Sequence, residues 1–556
     1  MLSILRSAGF FLRKPRTAVV ACLTVGMVVT LPAAASAMPK DAFVSDFGYD
    51  LMLPFTLGSG DTLSPNGTGA PSGVGPRLEA VTPNGKYLYV VNSGADTVSQ
   101  YSITSSGTLT ALSPATVTVG SSPWQIAVSP DGRNAYVDNI GTGSVSILDI
   151  ASDGTLTLAG SVTGLESPYS VVVSPDATSV YVADPEAGLI YEYNRSSSGA
   201  LTAKATPSIA GSPSDGPTQL IMSPNGKFLY ESDIDGIVYE FSVGSGGQLA
   251  PLTVPTQASD PDVYSLVVSP NGQNLYATSC YNEDSVDQYS IGSDGELTPL
   301  SPASVTDGCG LSWMTPDGSS FYAPSDGDYI YQYNVSSTGA LTPKSPASYS
   351  TTGADLWAIT IPPDQGPLAA FTSKAGKAGK ATKFNASKSS DSDGTVASYH
   401  WSFGDGSSVT TTKATISHTY KKAGKYKATL IVTDDAGCSD QLVFTGQTAY
   451  CNPGKSANHS VKVAAAKKKL KLTVSPGTAQ AGKTVCYAFK VTSKGHAVDK
   501  ARVTLSTHSA TTNSGGKATL CLSLGKGKDK AHASKHGYTA AVGAIRITAA
   551  APVFTG

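Results

Sequence analysis

A turn centred on proline recurs through the first two thirds of the 556-residue chain and limits the possible folds more than any other feature. The turn Thr/Ser-Pro-Asn/Asp-Gly, or a variant of it, occurs seven times, at Pro83, Pro130, Pro175, Pro224, Pro270, Pro316 and Pro363. Successive prolines lie 47, 45, 49, 46, 46 and 47 residues apart. A repeat of this length is typical of the four-stranded blades of a β-propeller.

The strands around each turn predict how the ring closes. An apolar strand precedes each turn, a second strand follows it, and an alternating third strand occurs seven times, at Met52–Leu57, Val98–Ile103, Val145–Ile150, Ile190–Arg195, Val238–Val243, Val286–Ile291 and Ile330–Val335. The first of these copies has no inner strand before it, and the last inner strand, Leu356–Ile361, has no third strand after it. We therefore predict an all-β chain in which residues 41–364 form seven blades, one of them built from both ends of the domain.

The repeat resembles a known family at its best-preserved copy. Ser129–Val137 reads Ser-Pro-Asp-Gly-Arg-Asn-Ala-Tyr-Val and is similar to the repeat of the lactonase-like, or YVTN-repeat, propellers. The resemblance implies the fold of all seven blades, whereas this scaffold hosts many activities. Enzymes of that family commonly carry a histidine after a proline at the start of an inner strand, where this chain has Arg77, Trp124, Tyr169 and Thr218. The resemblance therefore does not predict lactone hydrolysis.

Two smaller domains follow the propeller. Residues 367–463 resemble a PKD domain, an immunoglobulin-like sandwich, through five ordered motifs: Phe384–Ser387, Asp391–Gly394, Trp401–Gly406, His418–Tyr420 and Tyr426–Asp434. A segment bracketed by Cys438 and Cys451 departs from that pattern and is expected to alter one edge of the sandwich. After a basic linker at 464–469, residues 470–549 alternate as strands and are similar to bacterial immunoglobulin-like stalk repeats.

The N-terminus and the cysteines both indicate export. Residues 1–37 combine four basic residues, an apolar stretch and the motif Ala35-Ser36-Ala37, which predicts a cleaved signal peptide; an uncleaved anchor is the alternative. No second apolar segment of spanning length follows, so we expect no transmembrane segment in the mature chain. Three cysteine pairs each fall within one proposed domain, which predicts disulfides rather than buried free thiols: Cys280–Cys309, Cys438–Cys451 and Cys486–Cys521.

Charge is divided unevenly along the chain. The formal net charge is −2, but residues 38–366 carry 8 basic and 33 acidic residues, and residues 367–556 carry 27 basic and 8 acidic ones. The basic half could dock on anionic envelope polymers, or its lysines could simply form a soluble surface. Nucleic acid is not expected as a partner, because no motif combines basic residues with stacking aromatics.

The propeller lacks the usual residues of hydrolytic chemistry. All seven histidines lie after it, which excludes a Ser-His-Asp triad or a histidine-bound zinc within the ring. Its acid-rich loops could bind Ca²⁺ or serve carboxylate catalysis, or they could be solvated turns that cap their own backbone. Because no loop has an Asp-x-Asp-x-Asp-Gly ligand series, we predict neither a metal nor a cofactor.

An aromatic column is the strongest signal of a site. The position six residues before each repeat proline defines this column; it is occupied by Arg77, Trp124, Tyr169, Thr218, Tyr264, Gly310 and Trp357. The next position along the chain holds Gln125 and Gln219. We predict that Arg77, Trp124, Tyr169, Tyr264 and Trp357 surround the channel mouth and bind a ligand; packing between neighbouring blades is the alternative.

These observations favour a binding protein over an enzyme. We expect a secreted or cell-surface adhesion protein whose propeller mouth binds a carbohydrate, a peptide or an envelope polymer, with a cell-envelope polysaccharide or a surface protein as partner. The alternative is an exported lactonase-like hydrolase or lyase that acts through carboxylates and Arg77. A purely structural surface protein is a third possibility.

Overall fold

The computed structural model describes residues 41–212, 219–253, 256–257, 261–280, 284–325, 327–351, 355–444 and 449–549. The predicted signal segment and Thr218 lie outside these residues. The described residues form β-strands and one 3₁₀ turn, Ile140–Thr142, with no α-helix among them, so the prediction of an all-β chain is confirmed. In this part of the chain, no helix has the length and apolar character needed to span a membrane.

Seven antiparallel sheets form the blades of the propeller. The inner strands, from blade 1 to blade 7, are Pro76–Val81, Pro123–Val128, Ser170–Val173, Gln219–Met222, Val263–Val268, Trp313–Met314 and Leu356–Thr360. The second strands are Tyr87–Asn92, Asn134–Asn139, Ser179–Asp184, Phe228–Ser232, Asn274–Ser279, Ser320–Pro324 and Asp41–Asp46. The third strands are Thr97–Ile103, Ser144–Ile150, Leu189–Arg195, Ile237–Val243, Ser285–Ile291, Tyr329–Val335 and Leu51–Leu57. The outer strands are Leu109–Thr118, Leu156–Thr163, Leu201–Ala210, Leu249–Pro251 with Thr256–Gln257, Leu297–Thr306, Leu341–Ser350, and Leu63–Pro65 with Ala70–Pro71.

Blade 7 joins the two ends of the propeller. Its inner strand pairs Ile359 with Val44 of the second strand, and Val44 pairs in turn with Leu53 of the third strand. The first and last strands of the propeller therefore share one sheet, as the repeat count predicts. Such a shared blade leaves no open sheet edge between the ends of the ring.

A tyrosine in the second strand ties each of blades 1 to 6 to its neighbour. The hydroxyl of Tyr89 donates to the carbonyl of Gly154 at 2.7 Å, and the same bond runs from Tyr136 to Gly199 at 2.8 Å. The same tyrosine position recurs in the later blades, at Tyr181, Tyr230, Tyr276 and Tyr322. These rings are buried between blades, and each hydroxyl is satisfied by a loop carbonyl.

The PKD segment folds as two packed sheets. One sheet contains Thr372–Lys374, Ala381–Asn385 and Thr415–Thr419, and the other contains Ser408–Thr411, Val396–Ser402, Gly424–Asp434 and Ala457–Val463. Trp401 is fully buried in its core against Phe371 and Phe384. Aromatic burial between the two sheets therefore holds this domain together.

The segment bracketed by Cys438 and Cys451 does more than alter a sandwich edge. Its strands Val443–Phe444 and Ala449–Asn452 form a sheet with Asp364–Gln365, which directly follows the last propeller repeat. Asn452 also donates a side-chain hydrogen bond to Gln365 at 2.7 Å. The inserted segment thus attaches the PKD domain to the rear face of the ring, where the inner strands end.

Tyr450 of this segment closes the rear of the propeller channel. Its ring is 2% exposed, stacks on Trp313 with centroids 6.0 Å apart, and lines the same channel cavity as Glu79. That cavity has a volume of about 20 Å³, enough for one or two water molecules. The channel is therefore closed to larger molecules from the rear.

The third domain is a second sandwich. Its first sheet contains the strands Lys471–Ser475, Thr484–Ser493, His496–Ala497 and Lys517–Ser523. Its second sheet contains Thr478–Gln480, Ala541–Thr548, Gly527–Ser534, Arg502–Leu505 and His508–Thr511. A separate short pair joins Lys468–Lys469 to Tyr538–Thr539. The structure forms the three predicted disulfides, Cys280–Cys309, Cys438–Cys451 and Cys486–Cys521.

Candidate functional site

The predicted column residues come together around Arg77 at the mouth of the channel. The guanidinium carbon of Arg77 lies 4.0 Å from the ring centre of Trp124 and 4.4 Å from that of Trp357. Trp124 also makes edge contacts with Tyr169 at 5.3 Å and Trp357 at 5.7 Å. Tyr264 lines the same cavity as Trp124, Tyr169 and Trp357. All five residues remain partly exposed.

The sequence leaves two alternatives open for the column residues, packing between blades and ligand binding, and the contacts show residues suited to each. Trp124 and Trp357 pack tightly on the Arg77 guanidinium, a cation–π arrangement that fixes its plane. Tyr264 stands apart from that stack and faces open space beside Trp357. The column is therefore a rigid centre with a pocket on one side.

The pocket lies where the column lacks a side chain. It has a volume of about 240 Å³ and is bounded by Tyr264, Trp357, Leu311, Asp262 and the Cys280–Cys309 disulfide. The column position between Tyr264 and Trp357 is Gly310, at the entrance to the inner strand of blade 6. The absence of a side chain at this one position leaves the gap between the two aromatic rings.

Glycine is required at position 310 because two inner strands meet there. The Leu311 amide donates to the Trp357 carbonyl at 3.0 Å, and the Ile359 amide donates to the Leu311 carbonyl at 3.1 Å. A Cβ at Gly310 would lie 2.7 Å from the Trp357 carbonyl oxygen. The approach of blades 6 and 7 therefore excludes a side chain and keeps the pocket open.

Several donors at the mouth have no partner. Arg77 donates from Nε to Ser93 Oγ at 3.0 Å, but its Nη1 is buried without a hydrogen-bond acceptor among the described residues. The same holds for Trp357 Nε1 and Gln125 Nε2. Burial lowers the pKa of Arg77 to about 10, so the guanidinium stays charged at neutral pH. These N–H groups are buried among the aromatic rings and the inner strands, where the described residues leave them without acceptors.

The glutamines of the next column mainly hold the blades together. The Gln125 side-chain oxygen accepts from the Val171 amide at 3.3 Å, and that of Gln219 accepts from the Leu266 amide. Asp138 accepts from the Gln125 amide at 2.7 Å, and burial raises the pKa of Asp138 well above its usual range. These polar groups are fixed by inter-blade bonds beneath the mouth.

Carboxylates of the acid-rich loops accept hydrogen bonds from backbone amides of their own loop or of the loop that enters the inner strand of the same blade. Asp46 accepts from the Tyr49 amide at 3.2 Å, and Asp184 accepts from the amides of Glu166 and Ser167 at 2.7 and 2.9 Å. Asp233 accepts from the Ile237 amide at 2.9 Å. These contacts favour backbone capping over a calcium site in these loops, but the three carboxylates are buried and not solvated as the turn interpretation expected.

Sequence reasoning missed an apolar rim beside Arg77. Phe47 lies 5.1 Å from the guanidinium carbon and 6.2 Å from the Trp357 ring. Tyr49 and Val74 nearby are 63% and 58% exposed. Because Phe47 and Tyr49 belong to the turn between the second and third strands of blade 7, counting back from the repeat prolines does not reach them.

A second cluster missed by the sequence reasoning lies at the junction of the propeller and the PKD domain. It contains carboxylates of Asp364, Asp391, Asp393 and Asp434. Asp364 and Asp434 are each 3% exposed. Four carboxylate oxygens are buried without a hydrogen-bond partner in the described chain: one of Asp364, one of Asp434 and both of Asp391. The pair Asp391-x-Asp393-Gly was the available signal, but its partners are distant in sequence.

Burial and, after it, charge crowding raise the pKa values of the carboxylates in this cluster. Burial and the neighbouring carboxylates raise the pKa of Asp364 to about 9, that of Asp391 to about 7 and that of Asp434 to about 6. The sulfur atoms of Cys438 and Cys451 approach Asp364 but are joined as a disulfide, so they supply no thiolate. The donors are hard carboxylate oxygens, the type that Ca²⁺ takes.

The fold and the mouth define a class: a β-propeller with an aromatic mouth and a PKD-type sandwich attached to its rear face. Comparison with known families narrows the class. Residues 34–215 match the family described as "Lactonase, 7-bladed beta-propeller", and residues 364–447 match the "PKD domain" family. The chain thus combines a lactonase-like propeller with a PKD domain.

Individual relatives cover only parts of the chain. A solved structure from Bacteroides uniformis, provisionally assigned as a 6-phosphogluconolactonase, has a TM-score of 0.51 at 21% identity and covers 58% of this chain and 98% of its own, which shows the fold alone. Pre-pro-metalloprotease PrtV of Vibrio cholerae is 48% identical over 73 residues, and microbial collagenase of Vibrio alginolyticus is 31% identical over 137 residues. These matches span 13% and 24% of this chain but only 8% and 16% of those proteins.

Proposed function

We propose that the propeller mouth binds carbohydrate, with one sugar ring in the pocket between Tyr264 and Trp357. The observation that carries this proposal is the gap at Gly310, which leaves an open volume bounded by the aromatic residues Tyr264 and Trp357. Aromatic faces stack on the apolar faces of sugar rings, and Asp262 at the pocket edge can accept from hydroxyl groups.

The size of the pocket supports a single ring. Its volume of about 240 Å³ is below the roughly 300–1,000 Å³ of sites that enclose drug-sized ligands. A longer glycan would continue from the pocket across the exposed rim formed by Phe47, Tyr49 and Val74. A sugar is favoured over a peptide because aromatic rings line the mouth, whereas no exposed strand edge of the described propeller faces it for backbone pairing.

The alternative of a hydrolase or lyase has less support. Carboxylate catalysis of glycoside cleavage uses a pair of carboxyl groups on either side of the bond. Among the described residues that line the pocket, Asp262 is the one carboxylate. Arg77, the other residue assigned to that alternative, is held between two indole rings.

The remaining domains support presentation of the mouth outside the cell. The PKD domain docks on the rear face through Asp364–Gln365 and Tyr450, so its described residues leave the mouth face uncovered. Three disulfides and the match to a PKD domain fit an extracellular protein. We infer that the basic half, residues 367–556, holds the propeller near anionic envelope polymers.

We also propose that the junction cluster of Asp364, Asp391, Asp393 and Asp434 binds Ca²⁺. Buried carboxylate oxygens without partners favour a cation, because crowded carboxylates otherwise repel one another or take up protons. Asp364 belongs to the end of the propeller and the other three to the PKD domain, so the ion would fix the two domains together.

A glycan array tests the mouth proposal. The purified protein should bind a subset of printed glycans, and Tyr264→Ala should lose that binding while Tyr87→Ala, a half-buried tyrosine on the rear face, should keep it. Absence of binding to every glycan, or equal loss in both variants, would contradict the proposal.

A further inference from the structure

The basic residues of the propeller lie almost entirely on its rear face. Residues 41–364 contain seven of them, and six lie at the rear. Lys86, Arg133 and Lys227 belong to the repeat turns, Arg195 ends a third strand there, and Lys204 and Lys344 donate to carbonyls of rear turns. The seventh, Arg77, stands at the mouth but does not line the pocket beside Tyr264.

Acidic residues occupy the mouth face instead. Six of the seven blades hold an exposed or half-buried carboxylate in the loops of this face: Asp96, Glu186, Asp235, Asp262, Asp328 and Asp355. A surface of one charge sign attracts ligands of the opposite sign and repels those of its own. The mouth face therefore favours a cationic ligand over an anionic one.

Asp262 brings this negative charge into the pocket. Among the described residues that line the pocket, Asp262 is the one charged group. Carboxylates of comparable loops accept from backbone amides, as Asp184 and Asp233 do. The half-buried Asp262 carboxylate, by contrast, has no hydrogen bond or ion pair within the described chain. It is therefore available to a ligand.

The pocket also has an aromatic side chain suited to a cation. Burial raises the pKa of Tyr264, and the charge of the nearby Asp262 adds to that effect. Aromatic rings attract ammonium groups through the negative charge of their faces. Trp357 already packs on the Arg77 guanidinium at 4.4 Å, so Tyr264 is the ring left to make this contribution. A carboxylate and an aromatic ring thus bound the same open volume.

Resting on the sugar-binding function proposed above, we propose that the ligand is an amino sugar whose protonated amine binds to Asp262 beside Tyr264. An ammonium group only donates hydrogen bonds, and its bonds to a carboxylate are charge-assisted and stronger than those of a neutral hydroxyl. A neutral sugar would occupy the same pocket without a charged bond to Asp262. N-acetylation of the amine would remove the charge and the advantage with it.

The test is calorimetric titration of the purified protein with matched oligosaccharides that end in glucosamine, N-acetylglucosamine or glucose. The glucosamine ligand should bind at least about tenfold more tightly than the glucose ligand at low salt, the scale of one hydrogen bond to a charged group. This preference should shrink as salt rises, because salt screens charge, and N-acetylation should abolish it. Asp262→Asn should weaken glucosamine binding about tenfold or more and leave glucose binding within about threefold.

The variants are chosen to keep the fold. Asp262 has φ 64°, a left-handed conformation that asparagine also adopts, so Asp262→Asn removes the charge without straining the backbone. Glu186→Gln removes an exposed mouth-face carboxylate outside the pocket and should keep the preference for glucosamine within about twofold.

The outcomes separate this proposal from the function on which it rests. Equal affinity of the wild-type protein for the glucosamine and glucose ligands would overturn the amino-sugar proposal and leave sugar binding standing. A glucosamine preference that survives in Asp262→Asn would overturn it as well. If Asp262→Asn does not fold, a wild-type preference that neither salt nor N-acetylation reduces would overturn it. Failure to bind any glycan would instead remove the proposed function.

Discussion

Replacing Tyr264 with alanine separates binding from stability at the mouth. Tyr264 forms one wall of the pocket, whereas in the described part of the chain its ring makes no aromatic contact and no side-chain hydrogen bond. Trp124, by contrast, contacts Tyr169, Trp357 and Arg77. Truncation of these two aromatics should therefore have different consequences.

The expected magnitudes follow from these contacts. Loss of an aromatic wall from a binding pocket costs about 1–3 kcal/mol of binding free energy. The dissociation constant therefore rises about 5- to 150-fold. Because Tyr264 is half-buried, Tyr264→Ala should cost only about 1 kcal/mol of unfolding free energy, well below the roughly 3–5 kcal/mol for a fully buried aromatic. Trp124→Ala should cost about 2–4 kcal/mol of unfolding free energy, since it removes two ring contacts and one cation–π contact.

The assay is calorimetric titration with a glycan selected on the array, together with denaturant unfolding of each variant. Tyr87→Ala on the rear face is the matched control and should retain full affinity. Full affinity in Tyr264→Ala would refute the pocket as the binding site. A Tyr264→Ala protein that fails to fold would refute the assignment of Tyr264 to a pocket wall.

Three further outcomes are expected. Ca²⁺ at millimolar concentration should raise the Tm of the wild-type protein and not that of Asp364→Asn, as calorimetry can measure; an equal rise in both would exclude the junction site. Burial raises the pKa of Glu231 from 4.5 to about 8 in the folded state. Between these two pH values the folded state keeps a proton that the unfolded state has released, so the free energy of unfolding falls as the pH rises. Glu231→Gln should therefore increase the unfolding free energy at pH 9, by up to about 5 kcal/mol, and leave it unchanged at pH 4; a gain equal at both pH values would contradict this reasoning. The protein should bind an isolated anionic envelope polymer with an affinity that falls steeply as salt rises, and salt-insensitive binding would exclude anchoring by residues 367–556.

The ring could be predicted because its determinants are local and repeated. The repeated turn places one residue at a positive φ, as at Gly132 with φ 66°, which favours glycine there, although Ala177 holds this position with φ 58° in the variant copy. A position repeated in sequence is repeated around the axis, so counting back from the prolines placed Trp124, Tyr169, Tyr264 and Trp357 at one mouth. The same counting identified Gly310 as a column position. It did not predict the pocket, which depends on the neighbouring residues Tyr264 and Trp357.

Features that depend on distant contacts could not be predicted. Asp364 and Asp434 are 70 residues apart, and only the docking of the PKD domain brings them together. Tyr450 lies in a segment without a repeat, so no pattern places its ring beneath the channel. Likewise, the roles of Gln125 and Gln219 follow from the facing backbone of the next blade.

A crystal structure of the protein with an oligosaccharide selected on the glycan array shows where the ligand binds. The proposed function predicts a sugar ring between Tyr264 and Trp357. A ligand bound on the rear face or on either sandwich domain, with the mouth empty, would contradict it.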